Sequence, residues 1–259
     1  MVSEDLAIRV KGVSKSYRLV RNRPTSLKEA IVRRSRRSTV EDFWALRGLN
    51  LDIPKGSFFG LIGHNGSGKS TLLKLLSGIH RETSGTIEIN GQLSALLELG
   101  AGFHPELTGR ENIYLNGAIL GMKRRQMSGI VDEIVEFSGI GEFVDSPVRV
   151  YSSGMYVRLG FAIAVHVNPE ILLVDEVIAV GDEEFQRKCL DHMEELRRQG
   201  VTIVLVSHDI DQVKELCDKV AWIDKSHLMT VGEPEETCER YLAHAGLDEE
   251  NRKLDQEDK

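Results

Sequence analysis

Residues 63–71 read Gly-His-Asn-Gly-Ser-Gly-Lys-Ser-Thr and satisfy G-x-x-x-x-G-K-[ST], which constrains this chain more than any other stretch. The apolar run Phe58-Phe59-Gly60-Leu61-Ile62 before it reads as a buried strand. The run Leu72-Leu73-Lys74-Leu75-Leu76 after it reads as a helix. Glycines at 63, 66 and 68 let the backbone curl so that successive N–H groups converge on one anion. The following helix adds its positive N-terminal end. His64, Asn65, Ser67 and Thr71 complete the cradle, with Lys69 expected on the β- and γ-phosphates and the Ser70 hydroxyl on Mg²⁺. The segment predicts a strand–loop–helix unit that binds a nucleoside triphosphate.

The rest of the chain limits what can surround that unit. Its 259 residues suffice for one large domain or a core with a subdomain. A net charge of −7 argues against a nucleic-acid binder that works through general basicity. No apolar run approaches the roughly 20 residues that cross a bilayer, and no signal-peptide core is visible. A membrane role would therefore come through a partner. Cys189, Cys217 and Cys238 are odd in number and lack metal-ligand spacing, as expected of reduced, buried thiols.

Leu6 to Val13 alternates as a strand would, ending near Tyr17, and strand signals resume at Leu49–Ile53. Between them, residues 21–37 carry Arg21, Arg23, Lys28, Arg33, Arg34, Arg36 and Arg37 against the single acid Glu29. Pro24, Leu27, Ala30 and Ile31 suggest a short amphipathic helix in this basic insertion at about 21–40. Residues 84–91 read as turn, strand and turn. Thr108-Gly109-Arg110-Glu111 is a capping-box signature, opening a helix to about Leu120 that Gly121 stops. A second helix is expected over about 125–137, so residues 104–165 form a helical subdomain inserted between strand-rich parts. Residues 171–174 and 201–206 are continuous apolar runs, typical of parallel strands buried on both faces. The domain is expected to span 1–246, leaving 247–259 as a disordered acidic tail.

Ile171 to Val174 ends in Asp175-Glu176, about 100 residues after the phosphate loop. A carboxylate at the end of a buried strand beside such a loop reaches the Mg²⁺ shell, which suits Asp175. Glu176 could then orient or deprotonate a water in line with the γ-phosphate. His208 closes the next buried strand and could donate a hydrogen bond to that phosphate. Tyr151-Ser152-Ser153-Gly154-Met155 opens an apolar helix and makes a second anion-type helix start, about twenty residues before Asp175.

This ordered set resembles the ATPase subunit of ABC (ATP-binding cassette) transporters over nearly the whole chain. The resemblance implies an α/β fold with a P-loop NTPase (RecA-like) core, an antiparallel β subdomain and an inserted helical subdomain. The family's signature usually reads Leu-Ser-Gly-Gly-Gln. The variant Tyr-Ser-Ser-Gly-Met, with Leu97 to His104 and the basic insertion, is similar to the subgroup that exports polysaccharides and teichoic acids. On that resemblance the substrate is ATP with Mg²⁺, and Lys69, Glu176 and His208 are catalytic. Tyr17 matches the aromatic residue that stacks on adenine, with Trp44 as runner-up. Ser152, Ser153 and Gly154 match signature residues that face the nucleotide held by an opposite subunit, and Asp182 matches the D-loop aspartate. The glutamine that senses γ-phosphate and the membrane partner has no clear match; Glu98 or Leu99 occupies its place, with Glu98 preferred and named as a further Mg²⁺ candidate.

The implied assembly is a head-to-tail homodimer on the cytoplasmic face of the bacterial inner membrane. It would be paired with two copies of an integral permease that moves a lipid-linked polysaccharide, with no nucleic-acid partner. A soluble or regulatory ATPase of the same superfamily, or the ATPase of an importer, are the competing readings.

Overall fold

The computed structural model describes residues 5–21, 39–97, 102–175 and 182–257. The strand before the phosphate loop, β3 (Phe58–Ile62), is buried at every position. So are β6 (Ile171–Val174) and β7 (Thr202–Val206). Such strands need cover on both faces, and periodicity supplies it. Phe58, Ile62, Leu172, Val174, Ile203 and Leu205 point into one apolar cluster with Phe161, Phe185 and Met193. Phe59, Leu61, Leu173, Val204 and Val206 point into the other, with Leu72, Leu73, Leu75 and Leu76 from the helix after the loop.

The larger sheet has the order β5-β6-β7-β3-β8-β9, where β5 is Leu93–Leu96, β8 is Lys219–Asp224 and β9 is His227–Gly232. All its pairings are parallel except β8 with β9. Leu61 is level with Val206, Val174 with Leu205 and Ile62 with Trp222. The C-terminal ends of β3, β6, β7 and β8 therefore share one edge, where open parallel sheets bind their ligands. Although β6 precedes β7 in sequence, β7 lies directly beside β3. The residues after β7 are thus the nearer neighbours of the loop.

The smaller sheet is antiparallel, ordered β2-β1-β4, with β1 (Leu6–Arg21), β2 (Thr39–Pro54) and β4 (Ser84–Ile89). Both β1 and β2 are longer than the sequence pattern predicts. Their polar outer halves read as loop, yet Ser16 pairs with Trp44, Tyr17 with Phe43 and Arg21 with Thr39. In the outer half a cross-strand charge pair, Arg18–Asp42, takes the place of apolar alternation, as Arg9–Asp52 supports the inner half. The helix expected within the basic insertion falls on residues 22–38, outside the described residues.

The helical segment is organised by local caps. Thr108 accepts from the Glu111 N–H while the Glu111 carboxylate accepts from the Thr108 N–H, the capping box expected before α2 (Gly109–Ile119). After α1 (Lys69–Leu76) and α2 comes α3 (Arg124–Ser138), ended by Gly139 at φ 64°, a left-handed conformation that favours glycine. Two 3₁₀ turns lead to α4 (Ser153–His166), and α5 (Glu183–Arg198) and α6 (Ile210–Leu216) follow. The last helix, α7 (Pro234–Glu257), corrects the expectation of a disordered tail from residue 247. Its final turns are acidic, but Leu, Glu, Lys, Arg and Gln are good helix formers and extend a helix already anchored upstream. All three cysteines are free and buried, and burial pushes the Cys189 and Cys217 thiols up to about 12.

Candidate functional site

The phosphate loop joins β3 to α1 at the shared edge. Gly63 (φ 146°), Gly66 (φ 80°) and Gly68 (φ 120°) all adopt conformations that side chains disfavour. Two of them also have no room. A Cβ on Gly63 would lie 2.0 Å from the Ile223 carbonyl oxygen, and one on Gly68 would lie 2.6 Å from that of Ala45. The loop is thus wedged between β8 and β2 with its backbone forced into a curl.

Lys69, only 4% exposed, is the most buried cation of the loop. Its Nζ donates to the carbonyls of Gly63 (2.6 Å) and His64 (3.0 Å), which aims the ammonium back across the curl. Gly68 leads α1 without a side-chain cap. The buried Ser67 hydroxyl takes no hydrogen bond among the described residues. An uncapped helix start, an unsatisfied buried hydroxyl and a buried lysine make a donor set fit for a phosphate chain. Ser70 is exposed in the first turn of α1.

Asp175 follows β6 and is half-buried at the same edge. His208 is exposed in the bend after β7. That bend is fixed by the Ser207 Oγ, which accepts from the Asp209 N–H, and by Asp209, which caps α6 by accepting from Gln212. Register therefore brings Asp175, His208 and the phosphate loop to one edge from three strands. Glu176 and Glu98 lie outside the described residues, as does Leu99.

The signature segment forms a separate feature. Ser152 is the N-cap of α4, its hydroxyl accepting from the Met155 N–H. Ser152, Gly154, Met155, Arg158 and Asp182 line a cavity of about 410 Å³ with Gly139 and Ile140, none of them from residues 63–71. Ser153 is exposed on the first turn of α4. Asp182 caps α5 through the Phe185 N–H (3.0 Å) and is ion-paired with Arg158. The Phe185 N–H, with help from Arg158, holds the Asp182 carboxyl below the usual carboxylate range. Arg158, to which the sequence assigns no role of its own, thus ties the signature helix to the start of α5, and its guanidinium stacks 5.1 Å from the Phe185 ring centre.

The two aromatic candidates for the base differ in position. Tyr17 packs edge-on against His80 beyond the C-terminal end of α1, with centroids 5.9 Å apart. Trp44 is bound to the phosphate loop. Its carbonyl accepts from the Ser226 hydroxyl (2.7 Å), and the Ser226 N–H donates to the Ser67 carbonyl (3.2 Å). Ser226 stands in the β8–β9 turn at φ 72° and carries no local sequence signal for this bridge.

A parallel sheet that presents a glycine cradle, a buried lysine and strand-end carboxylate at one edge defines a nucleotide-binding phosphate-loop domain. Its backbone is similar to a dimeric ATP-binding cassette in a post-hydrolysis state bound to ADP and Pi, with TM-score 0.71 and 21% identity, covering 88% of this chain and 98% of that one. It is also similar to an ATP-binding subunit of an ABC transporter, with TM-score 0.73 and 19% identity, covering 91% and 93%. The ABC transporter family matches residues 46–179. The O-antigen export system ATP-binding protein of Myxococcus xanthus is 52% identical over 94% of this chain and 57% of its own length. Its counterpart in Klebsiella pneumoniae is 42% identical over 90% of this chain and 96% of its own. The teichoic acids export ATP-binding protein of Enterococcus faecalis is 45% identical over 93% and 54%. This chain therefore spans little more than half of two of these relatives and almost all of the third. The chain belongs to the ABC transporter family.

Proposed function

We propose that this chain is the ATP-hydrolysing subunit of an exporter that moves a lipid-linked polysaccharide across the bacterial inner membrane from its cytoplasmic face. The reading is supported by full-length similarity to an O-antigen export ATPase, together with teichoic acid export relatives. No helix among the described residues is long and apolar enough to cross a membrane. The permease, in two copies, supplies the path. Ile119, Phe143 and Val150 of the helical segment are exposed and leave apolar surface for a partner.

The observation that carries the mechanism is the separation of two half-sites. The phosphate loop grips a nucleotide on one side, while Ser152 and Gly154 line a cavity that contains none of the loop. Two copies arranged head to tail bring each signature onto the other's nucleotide, so that ATP closes the dimer. Gly63 to Thr71 wrap the phosphates, and Lys69 neutralises charge at the β- and γ-groups. Tyr17 is the residue expected to stack on the base, with Trp44, whose backbone is tied to the loop through Ser226, as the alternative.

Among the described residues no cluster of three His, Cys, Asp or Glu could hold a metal ion. Mg²⁺ suits this site all the same, because it binds through few protein oxygens and completes its shell with phosphate oxygens and water. Ser70 and Asp175 would hold it, and its charge would offset that developing on the phosphates. Glu98 is the remaining candidate ligand. Glu176 orients the attacking water and accepts its proton, His208 donates to the γ-phosphate, and Asp182 keeps the signature helix joined to α5.

The test is Glu176→Gln, which keeps shape but removes the base. It should hydrolyse ATP about a hundredfold more slowly or worse. It should also accumulate as an ATP-dependent dimer in sedimentation. A variant that stays monomeric with ATP in the presence of the permease would sink the head-to-tail reading.

A further inference from the structure

We infer that Tyr241 on α7 is a positioning residue for the ATPase reaction, holding the phosphate loop in its nucleotide-accepting shape through the ring of His64. The inference rests on nucleotide binding at residues 63–71.

His64 is the second residue of the loop, and its backbone bears much of the loop's order. Its carbonyl accepts from Lys69 Nζ (3.0 Å) and from the Ser67 N–H (3.1 Å). Displacing His64 therefore displaces both the cation and the turn that face the phosphates. The buried Nε2 of its side chain takes no hydrogen bond among the described residues. The ring packs against Tyr241, with centroids 5.4 Å apart and planes inclined at 56°. That is the tilted geometry in which aromatic pairs attract.

Tyr241 is in turn well seated. It meets Trp222 at 6.0 Å and 66°, and Trp222 meets His244 at 5.1 Å. Trp222 is paired in register with Ile62, the residue just before the loop. Buried Thr237 and Cys238, 2% and 0% exposed, pin the first turns of α7 beneath it. Lys214 of α6 reaches Glu235 at 2.8 Å. Burial, with the carboxylate of Asp224 nearby, raises the Tyr241 phenol above its usual range, so the ring stays neutral against His64. The last helix thus touches the phosphate loop through the Tyr241–His64 contact although it is remote from the loop in sequence. A force that shifts α7 reaches Lys69 through two rings and one carbonyl.

The experiment measures steady-state ATP hydrolysis by the full chain, with thermal unfolding as a control. Tyr241→Ala should raise KM for ATP about fivefold, the factor that corresponds to losing one aromatic pair. It should lower kcat by a smaller factor than it raises KM, because the displacement reaches Lys69 but not the water-activating Glu176. Tyr241→Phe should restore the wild-type KM. His64→Ala, itself in the loop, should raise KM at least as far as Tyr241→Ala, and the double variant should be no worse than His64→Ala alone. If Tyr241→Ala does not fold, Tyr241→Leu fills the volume without a ring, and its KM decides. Wild-type KM in the Ala or Leu variant, or effects that multiply in the double variant, would overturn the inference. Failure of the unmodified chain to bind ATP would instead count against the nucleotide site itself.

Discussion

Gly63→Ala is the sharpest perturbation of the phosphate loop, because backbone crowds the added methyl. The new Cβ would lie 2.0 Å from the Ile223 carbonyl oxygen, about 1.4 Å short of ordinary contact. Ile223 sits inside β8, paired to β3 one residue earlier, so no flexible side chain can swing away. Either the loop lifts or the end of the β3–β8 ladder opens. Losing one ladder hydrogen bond costs about 1 kcal/mol, and a disfavoured φ about 1–2 kcal/mol more. A total of roughly 2–3 kcal/mol corresponds to a fall in Tm of about 5–10 °C at this chain length. The functional loss should be greater. The Gly63 carbonyl is the 2.6 Å acceptor for Lys69 Nζ, and ångström-scale misplacement of a positioned group costs about a hundredfold. Equilibrium ATP titration and thermal unfolding read the two effects. Gly66→Ala is the control, since φ is again positive but no atom lies within 4 Å of the new methyl. It should cost only the conformational strain, about 1–2 kcal/mol. If Gly63→Ala binds ATP within about threefold of wild type and melts no lower than Gly66→Ala, the clash argument is wrong.

Two further expectations follow from other parts of the molecule. His166 and His192 stack 4.9 Å apart between α4 and α5, and burial lowers both below the ordinary value of 6.5. The folded state thus binds fewer protons than the unfolded one, so stability should be intact above about pH 7 and fall as pH drops through the ordinary histidine range. His192→Phe should roughly halve that dependence in denaturant titrations from pH 7.5 to 5; an unchanged slope would contradict the assignment. Reversing the charge at Arg33, Arg34, Arg36 and Arg37 should lower export in cells while sparing basal ATPase, because basic clusters draw anionic head groups at about 1 kcal/mol per residue. Unchanged export would show these arginines to be only solvated surface.

Features whose causes lie within a dozen residues were legible in the chain. The glycine cradle, the buried runs that became β3, β6 and β7, and the Thr108–Glu111 capping box each follow from local sterics, periodicity or capping. The polar outer half of the β1–β2 hairpin was not. Its residues are stabilised by partners about 18 to 31 positions away, such as Ser16 with Trp44, and no local alternation announces them. The helical continuation of α7 past residue 247 was missed for a related reason. Composition alone suggested a solvated tail, whereas the helix grows from turns anchored by Thr237 and Cys238.

The chemistry of the nucleotide site is written in short segments, since a loop that curls around phosphate needs its glycines, lysine and serine adjacent. What tertiary structure decided is which distant residues share that site. Strand order set β7 and its His208 beside the loop, ahead of the Asp175 strand. Packing joined Trp44 to Ser67 through Ser226, tied Arg158 to Asp182, and laid Tyr241 against His64. Such contacts are made by side chains whose neighbours are chosen only when the sheet closes and the helices cover it. No window of sequence contains both partners.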